Sequence, residues 1–146
     1  MTLHLIKLCV GCDSIDELRQ WQKRRIAVAR RRGRAYAPRH WTRMMPKRRE
    51  EILDGGSLYW VIQGFVAVRQ RINGLDRRID KDGRPYCRIS FARTLVPVAP
   101  RKHRPFQGWR YLAAKDAPPD LGRRHRSSEK LPPARMLAEL RDLGLI

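Results

Sequence analysis

The chain has 146 residues, and its 33 Lys and Arg against 14 Asp and Glu give a formal net charge of +19 at neutral pH. A hydrophobic content of 42% with four Trp supplies enough apolar side chains for a packed core, which excludes a wholly disordered basic tail. No run of about twenty apolar residues is present to span a bilayer, and no secretion signal is recognisable. We therefore expect a cytoplasmic protein with no membrane association.

The first predicted elements are a strand and a basic helix. Residues 2–9 are mostly apolar and predict a largely buried strand. Ser14, with a Glu three positions later, matches a capping box, so a helix is expected to begin there and to end near Gly33. An irregular stretch is expected over 35–45, followed by a short helix over 47–53. The expected inner stripe of the first helix consists of Ile15, Leu18, Trp21 and Val28.

From residue 57 the apolar pattern changes to the period of β-strands. Asp82 and Gly83 form a hairpin signal between two strands, and Pro97 restricts another strand to an edge or a bulge. A basic loop over 100–105 precedes the last strand. The predicted strands span residues 58–62, 65–72, 86–91, 95–98 and 108–112.

The order of these elements predicts an α+β fold. Short neighbouring strands joined by hairpin signals favour a small, mostly antiparallel and barrel-like sheet, flanked by a basic N-terminal helix and an amphipathic C-terminal helix. We expect a single domain over 1–146. Within this domain, the first strand and the basic helical segment would occupy residues 1–56, and a β-rich core would occupy 57–115. A basic linker over 123–130 would then lead to the C-terminal helix over 132–144.

The segment from Arg19 to Arg49 holds thirteen Lys and Arg residues and no Asp or Glu. A field of one sign repels itself unless a polyanion neutralises it, and nucleic acid is the most general polyanion in a cell. Within this segment, Trp41 offers a ring that can stack on a base, although large aromatic side chains more often pack into the core. The predicted nucleic-acid contacts here are Arg24, Arg31, Arg39, His40, Trp41, Arg43, Lys47 and Arg48.

Two later stretches also suggest ligand contacts. On the strand over 65–72, Arg69 and Arg71 project from the same face, about 7 Å apart, and can clamp phosphates or simply face solvent. Arg104 lies in a basic loop that leads to Trp109 and Arg110, which would lie near a bound base. The alternative for that stretch is a structural bulge with its aromatic rings in the core.

The sequence predicts no catalytic residue, no metal site and no cofactor. Cys9 and Cys12 have the spacing of half a zinc or redox site, but Cys87 and four scattered His provide no second pair. No βαβ pattern follows them, as thioredoxin-type chemistry requires. We expect small, partly buried side chains at the end of a strand, and free thiols.

Three segments, 2–11, 55–62 and 106–112, together carry a family resemblance. Across nearly its whole length, the chain resembles a family of short alphaproteobacterial proteins known only as a domain of unknown function. That resemblance implies no activity.

A looser similarity is to the PUA-like superfamily, including its ASCH and EVE branches. It depends on the basic helical segment, Gly55-Gly56, the strand before Gly64 and the basic strand over 66–72. The resemblance implies a small bent barrel that binds RNA or a modified base in a cleft. Here that cleft would be lined by residues 39–43, Trp60, Arg69 and Arg71; the ASCH catalytic Lys, Thr and Glu have no counterparts that can be placed.

These observations predict a nucleic-acid-binding protein, with ribosomal or transfer RNA as the favoured partner and DNA as a variant that the residues do not exclude. Two alternatives stay open. One is an enzyme that acts on a modified nucleotide or base in a barrel cleft, which requires a deep pocket with an acidic or Cys side chain. The other is a protein-interaction module for an acidic partner, using the apolar stripe of the C-terminal helix. The residues of that stripe are Met136, Leu137, Leu140 and Leu143.

Overall fold

A sheet and two helices are described over residues 2–34 and 38–121 in the computed structural model. The linker predicted over 123–130 and the helix predicted over 132–144 lie outside these residues. The elements in chain order are β1 (Leu3–Leu8), α1 (Ile15–Arg31), β2 (Arg39–Thr42), α2 (Arg49–Leu53), β3 (Ser57–Ile62), β4 (Phe65–Ile79), β5 (Pro85–Lys102), β6 (Trp109–Ala113) and a 3-10 turn (Ala114–Asp116).

Six strands form one sheet in the order β2-β5-β4-β3-β1-β6. Every neighbouring pair is antiparallel except β1 and β3, which are parallel. A parallel pair needs a long crossover connection, and the chain from α1 to α2 provides it. The prediction of an α+β fold with a mostly antiparallel sheet is therefore confirmed.

The sheet is strongly curved. The ring of His40 on β2 lies 5.6 Å from the ring of Trp60 on β3, although β5 and β4 separate the two strands in the sheet. The indole N–H of Trp109 on β6 donates to the carbonyl of Met44, just after β2, at 2.9 Å. Among the described residues, β2 and β6 nevertheless remain edge strands, so a barrel closed by strand pairing is not observed.

Two strands differ from their prediction. Residues 39–42 form β2 instead of an irregular stretch, because each pairs with β5, from Arg39 opposite Ser90 to Thr42 opposite Cys87. Residues 85–102 form the single strand β5 rather than two strands and a loop. The partner strand β4 extends to Ile79, and register shifts along the pair absorb the irregular positions. In both cases the cause is pairing with a distant segment, which no local pattern reveals.

The two faces of the sheet carry separate hydrophobic cores. The inner face packs against α1 and α2, which bury the side chains of Leu18 and Ile52. The outer face is covered by the segment around β6, with Phe106, Leu112 and Ala117 packed on it. The largest inner-core side chains include Leu5, Leu18, Ile52, Leu58, Ile72 and Phe91.

A buried pair of amides fixes α1 to the inner face. The side chains of Gln22 and Gln70 exchange two hydrogen bonds, at 3.0 and 2.9 Å. Gln70 also donates to the carbonyl of Ala92 at 2.8 Å and accepts from the indole N–H of Trp60 at 3.4 Å. An unpaired amide at this depth would cost about 1–3 kcal/mol, so α1 is stable only in the position that satisfies both side chains.

Gly56 joins α2 to the sheet in a space too small for a side chain. Its N–H donates to Ile52 and its carbonyl accepts from Ile72. A methyl group there would overlap the carbonyl oxygens of Leu3 and Ile52. The backbone of α2 can therefore approach β1 this closely only at a glycine.

Replacing Gly56 with Ala should destabilise the protein by about 3 kcal/mol or prevent folding, because the added methyl group displaces two backbone carbonyls. Gly74→Ala is the matched control, since its nearest neighbour would be the Ser90 Cβ at an ordinary 3.6 Å. Denaturant unfolding monitored by Trp fluorescence measures both. Equal stability of the two variants would contradict the close contact at Gly56.

Candidate nucleic-acid interface

A groove runs along the edge of the sheet between α1 and β2. It contains a cavity of about 430 Å³ lined by arginines and aromatic rings. We call this cavity the edge groove. Among the described residues, no Asp or Glu belongs to its lining. The lining residues are Trp21, Arg25, Arg39, His40, Trp41, Arg78, Tyr86 and Arg88.

The helix α1 forms one wall of the edge groove. Because Gln22 points into the core, its neighbour Trp21 is 37% exposed and faces the groove. The guanidinium of Arg25 lies 3.9 Å from the centre of the Trp21 ring, a cation–π contact that sets the charge beside the ring. The sequence placed Trp21 and Val28 in the inner stripe of the helix, and this was wrong for both: the buried position is Gln22.

A second cavity, of about 630 Å³, continues the edge groove along α1 and shares Trp21, Arg25 and Arg39 with it. Its lining is again free of Asp and Glu within the described part of the chain. The two cavities therefore form one surface whose charged side chains are all basic. The further residues of the second cavity are Arg24, Val28, Ala29, Arg32 and Arg34.

A ridge made by Trp41 and Tyr86 bounds the edge groove on its other side. The two rings meet edge to face, with centroids 6.0 Å apart. Trp41 is 59% exposed, so the alternative that it packs into the core is wrong. Side chains alternate along a strand, so β2 directs His40 inward and Trp41 outward.

Beyond this ridge lies a cavity of about 470 Å³, which we call the ridge cavity. Arg43 lines it and is held in place by hydrogen bonds to the Asp80 carboxylate at 3.3 Å and the Pro85 carbonyl at 3.0 Å. Its guanidinium lies 5.5 Å from the Trp41 ring centre. The cavity is completed by Ile79, Asp80, Lys81 and the two ridge rings. Cations therefore lie on both sides of the ridge.

Arg88 has hydrogen-bonding capacity that the protein does not use. Its Nε is buried and has no hydrogen-bond partner among the described residues. Its Nη2 lies 3.6 Å from the Asp76 carboxylate, which is longer than a hydrogen bond. The buried Nε is closed to a ligand, so any contact from the edge groove would be with the rest of this partly exposed guanidinium.

His40 lies between the edge groove and the core. Burial, together with the positive charges of Lys7 and Arg25, lowers the pKa of His40 to about 4. The ring is therefore neutral at neutral pH. It contributes its edge-to-face contact with Trp60 rather than a charge.

Of the predicted pair on β4, Arg69 is engaged by side chains of the protein itself. Arg69 donates two hydrogen bonds to the Asp120 carboxylate, at 2.7 and 2.8 Å, and a third to Ser57. The hydrogen bond with Asp120 raises the pKa of Arg69, and the ion pair ties the end of the described chain to the sheet. Arg71 is exposed two residues further along. Only one of the two guanidinium groups is thus available to a ligand.

The remaining predicted residues lie away from the edge groove. Arg48 pairs with Glu51 at 2.8 Å, and its backbone N–H donates to Tyr111 on β6. Lys47 and Arg31 are exposed. Arg104 lines a separate basic cavity of about 890 Å³, beside the turn between β3 and β4.

Two predicted contacts, Trp109 and Arg110, lie on β6. The alternative that the aromatic rings of this stretch pack into the core is supported for Trp109. Trp109 is partly buried against the inner core. Arg110 is exposed, with its guanidinium 4.7 Å from the Phe106 ring centre.

Besides Trp21, four groove residues were missed by sequence reasoning: Arg25, Arg78, Tyr86 and Arg88. Arg25 belongs to the basic segment but was not selected, and the other three lie on the hairpin of β4 and β5. The alternation of side chains along these two strands was visible in the sequence. Nothing local could show that β2 pairs with β5 and so brings them beside Trp41.

The two N-terminal cysteines are side chains at a strand end, as expected. Cys9 is buried and Cys12 is half-buried. Burial, together with the neighbouring Cys12, raises the pKa of the Cys9 thiol, which keeps it protonated and unreactive at neutral pH. Among the described residues, no three His, Cys, Asp or Glu side chains are grouped to hold a metal ion.

The pKa of His40 predicts a pH dependence of stability. In the folded state its pKa is about 4, below the ordinary 6.5, so the unfolded state binds the proton more readily between these values. The free energy of unfolding should therefore fall as the pH drops from 6.5 to 4, by on the order of 2 kcal/mol from this residue.

Denaturant unfolding at pH 7 and pH 4.5 tests this with His40→Phe, which keeps a ring against Trp60 but removes the titration. The variant should lose less stability on acidification than the wild type. His4, whose pKa burial also lowers, leaves a residual dependence in both proteins. An identical pH dependence in the variant would contradict a neutral, buried His40.

The described residues contain no helix with the length and apolar character needed to cross a membrane. No curated protein and no solved structure matches the chain, so the similarity to the PUA-like superfamily stays a prediction. One family model matches residues 5–146, nearly the whole sequence. The chain therefore belongs to the family described as "Protein of unknown function (DUF1489)".

Proposed function

We propose that this protein binds nucleic acid, with RNA as the favoured ligand, along the edge groove and the cavity that continues it on α1. The observation that carries the proposal is that these two cavities are lined by arginines and exposed rings without a carboxylate among the described residues. Such a surface attracts phosphates, and the loss of their counterions on binding supplies much of the affinity. Arg, with its planar fork of donors, suits phosphate contacts better than Lys.

The aromatic side chains give this basic surface a second kind of contact. Trp21 and Trp41 are both exposed, and each has an arginine within cation–π distance. Rings beside guanidinium groups are the combination with which RNA-binding proteins hold a base and its phosphate together.

The proposal retains part of the cleft implied by the PUA-like resemblance. Arg39, His40 and Trp41 line the proposed site and Arg43 lies beside it in the ridge cavity, whereas Trp60 lies in the core and Arg69 is occupied by Asp120. We propose that the curved sheet is a partly closed barrel, with the ligand at its open edge along β2 rather than inside it.

The alternative of an enzyme receives less support from this site. It requires an acidic or Cys side chain in a deep pocket, and the described lining of the edge groove contains neither. The interaction-module alternative depends on the stripe at Met136, Leu137, Leu140 and Leu143, which lies outside the described residues.

Replacing Arg39 and Arg43 with Ala should weaken RNA binding and flatten its salt dependence. Each phosphate contact to a single strand contributes about 0.7 to the slope of log K against log salt, so the double variant should lose about 1.4 from that slope. Fluorescence anisotropy with a labelled mixed-sequence RNA, over roughly 50 to 200 mM salt, measures both quantities.

The matched control is Arg71→Ala with Arg110→Ala, which removes the same charge from exposed positions outside the edge groove. This control should lose less affinity and keep a steeper slope. If the Arg39 and Arg43 double variant has unchanged affinity and slope, the edge groove is not part of the interface.

A further inference from the structure

We infer that the ligand of the edge groove is a single strand, or an unpaired segment, whose backbone crosses the Trp41–Tyr86 ridge and leaves one base stacked on Trp41. This inference rests on the proposed function. It adds the class of nucleic acid and the position of one nucleotide. It is carried by the geometry of the ridge and of the two cavities that meet there.

The first step concerns what can reach the Trp41 ring. Arg43 lines the ridge cavity but not the edge groove, so it approaches Trp41 from the ridge-cavity side. Trp41 is 59% exposed and lines the edge groove together with Tyr86, so part of its ring is accessible to a ligand from that side. Bases in a duplex are stacked on one another, and the narrow major groove of A-form RNA excludes side chains, so a duplex cannot offer a base face here.

The second step concerns size. The edge groove measures about 430 Å³ and the ridge cavity about 470 Å³. Both fall in the range of roughly 300 to 1,000 Å³ that is typical of small-molecule sites. Each cavity therefore suits a nucleotide, whereas a duplex would lie across the outside of the groove and contact only its rim.

The third step concerns charge on the two sides of the ridge. Arg78 and Arg88 line the edge groove, and the ridge cavity is lined by Lys81 and by Arg43, whose guanidinium is hydrogen-bonded to the Asp80 carboxylate of the same lining. A strand that crosses the ridge would meet cations before and after the stacked base. Arg88 pairs with Asp76 only at 3.6 Å, beyond hydrogen-bond distance, so its charge is available to a phosphate on the edge-groove side. Charge on both sides of an exposed ring is the arrangement of single-strand binding surfaces.

The test compares one labelled RNA sequence as a single strand and as a blunt duplex, by anisotropy at low salt. We expect the wild type to bind the single strand at least about tenfold more tightly than the duplex. Trp41→Leu should weaken single-strand binding by about tenfold and leave duplex binding nearly unchanged, while Trp41→Phe should retain most of the affinity. Tyr111→Leu, which changes an exposed ring at the other edge of the sheet, is the control.

The outcomes separate this inference from the proposed function. If the duplex binds as tightly as the single strand, or if Trp41→Leu binds the single strand like the wild type, the inference is wrong. Weakening by the Arg39 and Arg43 double variant would in that case still support nucleic-acid binding. If neither RNA binds at low salt, both proposals are rejected. A DNA single strand that binds as tightly as RNA would support the single-strand inference and reject the preference for RNA.

Discussion

The reciprocal hydrogen bonds between Gln22 and Gln70 determine where α1 lies, and the edge groove depends on that position. With Gln22 buried, helical geometry directs Trp21 and Arg25 outward, beside β2. A helix held only by apolar contacts can slide or rotate at small cost, whereas a buried amide pair is satisfied in one arrangement. A polar contact inside the core therefore sets the geometry of a basic surface outside it.

The curvature of the sheet is the second condition for this surface. The long strand β5 pairs with β4 along most of its length and with β2 at one end. This pairing brings Trp41 from the segment after α1 next to Tyr86 from a distant hairpin. The same curvature turns His40 toward Trp60, where its neutral ring fills the core beneath the groove. One edge strand thus contributes to the core with one side chain and to the candidate site with the next.

Local patterns predicted the class of the fold, but not the layout of the candidate site. The capping box at Ser14 and the strands from residue 57 were readable because they depend on neighbouring residues. The strand β2 was missed because its stability comes from β5, some fifty residues later. Trp21 was assigned to the core because apolar character was used as the guide, whereas the structure buries the amide of Gln22 instead. Arg69 was assigned to the ligand because its partner Asp120 lies far along the chain.

The central claim is that nucleic acid contacts the edge of the sheet along β2. Ultraviolet crosslinking of the full chain to a bound RNA, followed by mass spectrometry of the peptide adducts, tests it most directly. The account predicts adducts on the peptides that contain Trp41 and Tyr86, lost when binding is competed by high salt. Adducts confined to the loop over 103–108 or to the strand around Arg71, with none at the ridge, would contradict it.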